Sequence, residues 1–217
     1  MITSKNYESI AQLLYYPNNQ FPEKVKRIQA LLDKEYSEAS KYLIKFTKFV
    51  ASVKLTGVQE IYTRTFDVQA ITTLDIGYVL FGDDYKRGEL LSNLSREHKD
   101  AGVDCGTELG DFLPNLLKLL PKVKNTELRN ELSIKIIIPA LSKIISEFDV
   151  KQLEKKSKVY KKHYKTLIER SENYGVIYLQ PLLAIRNILQ VDFNSGTYKD
   201  EYNSSYTKSI STEIAID

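Results

Sequence analysis

Few side chains in this sequence are of types that do chemistry, and their spacing decides most of what they can do. Two histidines, His98 and His163, and one cysteine, Cys105, are the entire imidazole and thiol content of the 217 residues. Neither histidine stands at metal-ligand spacing from the other, or from a carboxylate pair as in an HExxH helix. His98 falls on the apolar face of its predicted helix and His163 lies within a lysine run, so structural and solvated roles are expected of them. Cys105 would need an adjacent base or cation to act as a thiolate, and the sequence supplies no base beside it. The stretch GDDYKRG at 82–88 has the glycines of a phosphate loop. It lacks the terminal Gly-Lys-Ser/Thr, however, and carries acids where phosphates would approach. The expectation is therefore a binding protein with no catalytic residue, no metal and no cofactor.

Charge is the more informative signal. The formal net charge is only +3, yet positions 60–111 hold eleven Asp or Glu against five Lys or Arg, a net of −6. At 150–170 the balance reverses, with seven lysines and Arg170 facing only Glu154 and Glu169. An acidic segment that also carries aromatics suits a partner helix with basic and apolar residues. In the basic segment Leu153, Tyr160, Tyr164 and Leu167 track one helical face, so most of its lysines read as a solvated side and nucleic acid is not an expected partner. The alternative reading is a helical adaptor or nucleic-acid-binding protein that uses 150–170 through counterion release.

These residues must be carried by helices. Nine glycines and six prolines are too few for many short strands and turns, and apolar residues recur at three- and four-residue spacing. Tyr7, Ile10, Ala11 and Leu14 predict a first helix, Val25, Ile28 and Leu32 a second, and Ala39, Leu43, Phe46 and Val50 a third, with Ser4 and Ser37 as candidate N-caps. Further helices are predicted at 57–68, at 73–81 ending at Gly82, and from Asp83 or Asp84 to about Gly102. A glycine-rich loop spans 101–114. Helix resumes after it, interrupted at Pro139, and continues through a basic and then an apolar segment to about Leu189. The fold expected is all-α, a single compact bundle of roughly eight to ten helices over residues 1–193. Residues 194–217 are polar, rich in Ser and Thr, and read as a disordered tail. The lone cysteine, the absence of a leader-like N-terminus and the lack of any run near the roughly 18 apolar residues of a span predict a cytoplasmic protein without a membrane span.

The motifs QEIYTRTFD at 59–67, Leu74 with Gly77 and Tyr78, LFGDDYKRGELLSNL at 80–94 and ELGDFLP at 108–114 together resemble one family. It is the nitrate reductase delta subunit, within the group of assembly chaperones for molybdenum enzymes of the dimethyl sulfoxide reductase type, and the likeness runs over about residues 5–150. The resemblance implies a chaperone that binds the N-terminal leader of the catalytic, or alpha, subunit of such an enzyme, assists insertion of the molybdenum cofactor, and works as a monomer or weak homodimer. Carried over by position, Tyr62, Phe66 and Asp67 correspond to the family's Tyr-x-x-x-Phe-Asp element. Glu108, Asp111, Leu113 and Pro114 correspond to its Glu-Leu-Pro-Asp-His-Leu-Pro signature, with Gly110 and Phe112 in place of the first proline and the histidine. The peptide site this implies comprises Tyr62, Phe66, Asp67, Tyr78, Glu108, Asp111, Leu113 and Pro114, with Asp67 and Asp111 engaging the leader's basic residues.

Overall fold

The computed structural model describes residues 4–149, 151–153 and 176–193. The expected all-α fold is what it has: ten α-helices are described, and among the described residues extended pairing is limited to an isolated antiparallel bridge between Asp75 and Phe112. No described helix is long and apolar enough to cross a membrane. Most of the basic segment at 150–170 and all of the tail at 194–217 lie outside the described residues.

The helices gather into two compact units. One takes residues 4–11, 75–140 and 189–193 of the described chain, and the other takes 12–74, 141–149, 151–153 and 176–188. In the second unit, α2 (Phe21–Glu35) and α3 (Ser37–Ser52) are joined through Tyr36 alone and fold back on each other. Their buried faces are those the spacing predicts: Phe21, Val25, Ile28 and Leu32 on α2, and Ala39, Leu43, Phe46 and Val50 on α3. Gln29 ties the pair, donating to the Ser40 hydroxyl at 2.9 Å and accepting from the Thr47 hydroxyl at 2.9 Å. Ser37 is not a cap; it is already the first residue of α3, and Tyr36 precedes it with no side-chain capping bond. A short α4 (Leu55–Phe66) completes the part of this unit that concerns function.

The other unit is built on α1 (Ser4–Ala11), which packs against α7 (Leu113–Leu119). Tyr7 donates to the Asp192 carboxylate at 2.9 Å, tying α1 to the end of α10 (Leu179–Phe193). Between them in sequence come α5 (Ile76–Phe81) and α6 (Tyr85–Asp100). Gly82 stops α5 at φ +62°, a backbone state that costs glycine nothing. The Asp84 carboxylate then caps α6, accepting from the Lys86 amide at 2.9 Å. The stretch predicted as one helix broken at Pro139 has three parts: α8 (Thr126–Glu131), a π-helical segment Leu132–Ile137, and α9 (Ile138–Ser146). Proline cannot donate to the carbonyl one turn back, and the wider π turn is one way a helix absorbs such a break.

Candidate functional site

The sequence-derived site residues divide between the two units. Tyr62, Phe66 and Asp67 belong to one, and Tyr78, Glu108, Asp111, Leu113 and Pro114 to the other.

On α4, Tyr62 and Phe66 are one turn apart and share a face, with ring centroids 5.1 Å apart and planes at 61°. Both rings meet Tyr178 edge-on, at 5.6 Å and 5.2 Å. Phe46 closes on Tyr178 from the core at 5.0 Å. On the outer side Tyr16, 55% exposed, stands edge-to-face with Tyr62 at 5.5 Å and 87°. The geometry is that favoured by ring quadrupoles. Two hydrogen bonds lock α4 to the segment between α1 and α2: Tyr62 donates to the Leu14 carbonyl at 3.0 Å, and Gln59 to that of Pro17 at 2.8 Å. Tyr178 is buried, its hydroxyl has no hydrogen-bond partner, and burial pushes its pKa well above that of a free phenol. Asp67 lies exposed just beyond Phe66, beside exposed Val68. Any cation drawn to Asp67 also meets the negative end of the α4 dipole. The result is an aromatic ledge, half-buried at Tyr62 and Phe66 and open at Tyr16, with exposed Asp67 next in the chain after Phe66.

In the other unit the motif residues form an internal lock. Asp111 is completely buried, and its Oδ2 accepts from Arg87 Nε at 3.1 Å. Its backbone carbonyl accepts from the Ile76 amide at 3.0 Å, next to the Asp75–Phe112 bridge, so the loop is pinned to the start of α5. Arg87 also lies 4.0 Å from Asp75 and 5.4 Å from the centre of the Tyr78 ring. Gly77 permits this closeness, since a Cβ there would stand 2.7 Å from Asp111 Oδ2. Burial raises the Asp111 pKa above its ordinary value and the Arg87 guanidinium pulls it back. Asp111, Leu113 and Pro114, expected on the peptide site, are thus interior residues, buried in this structure. Tyr78, 44% exposed, and Glu108 remain open to solvent.

His98 is buried as its face predicted, and Nε2 donates to the Gly110 carbonyl at 2.9 Å, clasping the loop to α6. Its Nδ1 is buried without a partner, and burial lowers the ring's pKa. Gly110 and Phe112 each have a packing reason here. A Cβ at Gly110 would stand 3.2 Å from the His98 ring, and Phe112 is buried against the core. Asn115 donates to the carbonyls of Cys105 and Leu109 at 3.2 and 3.1 Å, bracing the loop from below. Burial pushes the Cys105 thiol upward, opposite to the shift of an activated thiolate. Among the described residues no group of three or more His, Cys, Asp or Glu is placed to hold a metal ion.

Sequence reasoning missed Tyr16, Tyr178 and Arg87. The YYP run at 15–17 is a weak signal for an anchored aromatic, and an arginine two residues beyond Tyr85 in the acidic motif is another; Tyr178 lies over a hundred residues from its ring partners and carries none. Compared with known proteins, the chain matches no family profile, and no curated protein matches it at significance.

Proposed function

We propose that this chain is an assembly chaperone that binds the N-terminal leader of the catalytic subunit of a nitrate reductase-like molybdenum enzyme and keeps that subunit competent for cofactor insertion. The observation that carries the reading is the ledge of Tyr16, Tyr62 and Phe66 ending at Asp67, built from the Tyr-x-x-x-Phe-Asp element on which the family resemblance rests. A leader that forms an amphipathic helix lays its apolar side along the rings, and its basic residues meet Asp67 and the carbonyl end of α4. Because the rings are already held by one another and by the Leu14 and Pro17 carbonyls, little side-chain entropy is lost when the peptide docks. In this reading Asp111 and Arg87 position α5, α6 and the 101–112 loop and make no leader contact. The protein works in the cytoplasm as a monomer or weak homodimer, without cofactor or catalytic step of its own.

Isothermal titration with a synthetic peptide of roughly 30 residues, long enough for a leader helix, tests the proposal. Micromolar or tighter binding is expected, weakened about tenfold by Tyr16→Ala, whose ring is largely outside the core. Absence of binding to any molybdenum-enzyme leader overturns it.

A further inference from the structure

Helix α3 presents a second surface that the ledge does not use. Its inner face is apolar, while Lys41, Lys45 and Lys48 run along its exposed side at four- and three-residue spacing. Tyr42 and Ile44, each 40% exposed, flank that lysine row on opposite sides. The nearby acids leave two of the three lysines uncompensated. Glu38, the sole acid of α3, is paired with Lys41. Asp33 accepts from Gln29 at 2.8 Å and from the Ser40 hydroxyl, bonds that lower its pKa and keep its charge turned toward the α2–α3 seam. Lys45 and Lys48 have no acid partner among the described residues.

We propose that this face of α3 is a peripheral docking surface for a bilayer containing anionic lipid. Three features favour a bilayer over a polyanion such as nucleic acid. The face is a single convex helix, its cations are lysines without the fork of arginine, and a tyrosine and an isoleucine stand where they would enter the headgroup boundary while the lysine stems extend to phosphates. The sixteen residues of α3 rise about 24 Å, enough to lie across several headgroups. Each lysine at an anionic surface is worth roughly a fivefold gain in partitioning. Binding of this kind is reversible and fades with salt.

Vesicle co-sedimentation of the full chain tests it, comparing phosphatidylcholine alone with vesicles about one-third phosphatidylglycerol. Binding to the anionic vesicles only, weakened by added salt and reduced roughly thirtyfold in the double variant K45Q/K48Q, is the expected result. The variant Y42S/I44S should bind several-fold more weakly and keep its salt dependence. Far-UV circular dichroism and leader titration on each variant establish that it is folded; if K45Q/K48Q is not, K48Q alone is read, with about a fivefold loss expected. Equal binding to neutral vesicles, no binding to anionic ones, or full binding by the folded K45Q/K48Q, which would move the contact to another basic segment such as 150–170, each overturns the assignment.

Discussion

Asp111→Ala separates a buried lock from a peptide contact. The substitution removes the acceptor for Arg87 Nε at 3.1 Å and leaves the guanidinium, 18% exposed at its side chain, without its nearest acid. Breaking a buried pair from one side costs about 3–5 kcal/mol. Two features reduce that figure here. Asp111 Oδ1 has no hydrogen-bond partner, so the native carboxylate already carries an unmet cost of about 1–3 kcal/mol, and Asp75 at 4.0 Å can take over part of the charge on Arg87. The net expectation is a loss of about 2 kcal/mol, a fall of roughly 4–8 °C in Tm for a chain of this size. Asp111→Asn keeps the shape and an acceptor and should cost much less. The pH dependence has a definite sign. A carboxyl whose folded pKa lies above its unfolded value near 3.8 contributes its full stability below that value and loses it as pH rises through the folded pKa. The wild type should therefore gain on Asp111→Asn as pH is lowered from 7 toward 4. Urea and thermal unfolding of the three proteins measure both effects, and leader titration of the folded fraction of Asp111→Ala should match wild type. An Asp111→Ala protein as stable as wild type that has lost leader binding would refute the reasoning, because only a carboxylate reaching the peptide behaves so.

Other perturbations have equally definite outcomes. Tyr62→Ala removes three ring contacts and the bond to the Leu14 carbonyl, so it should cost about 3 kcal/mol of stability as well as affinity, whereas Tyr16→Ala should cost under 1 kcal/mol and act on affinity; paired urea and calorimetric titrations tell them apart. His98 has a folded pKa below its unfolded value of 6.5, so its neutral buried form supports the fold above that pH and the support is lost as pH falls; His98→Gln should flatten the stability profile below 6.5, read from unfolding midpoints across pH. Gly77→Ala should destabilise by about 1–2 kcal/mol despite alanine's better helix propensity, because its Cβ would meet Asp111 Oδ2 at 2.7 Å; Tm reads this directly.

Much of this architecture can be read from periodicity. Helices α1 to α3 bury the residues their spacing nominates, because each has one apolar stripe and solvent on the other side. Helix ends at Gly82 and Asp84 were legible from backbone chemistry alone. What periodicity cannot show is which polar residue of a motif turns inward. Asp111 belongs to an acidic stretch and reads as a surface charge, and only the approach of Arg87, made possible by Gly77 in another helix, takes it into the interior. Tyr178 is invisible for a related reason: its partners come from α3 and α4 far back in the chain. Tyr62 and Phe66 were the readable part of the site, since their contact with each other is made within one helical turn.

The two units have a consequence for how this protein comes into being. The unit that holds Asp111 draws its described chain from three separated stretches, with α1 seated on α7 and Tyr7 bonded to Asp192 across 185 residues of sequence. On a ribosome releasing about 5–20 residues per second, α1 must wait for Asp192, 185 residues after Tyr7, to emerge before that bond can form. Contacts of such long range slow folding and leave apolar faces uncovered in the interval. Neither unit is a single contiguous stretch of chain, and Asp192 lies beyond Tyr178, so limited truncation from the C-terminal side should remove the partner of Tyr7 before it reaches the ring partners of the ledge.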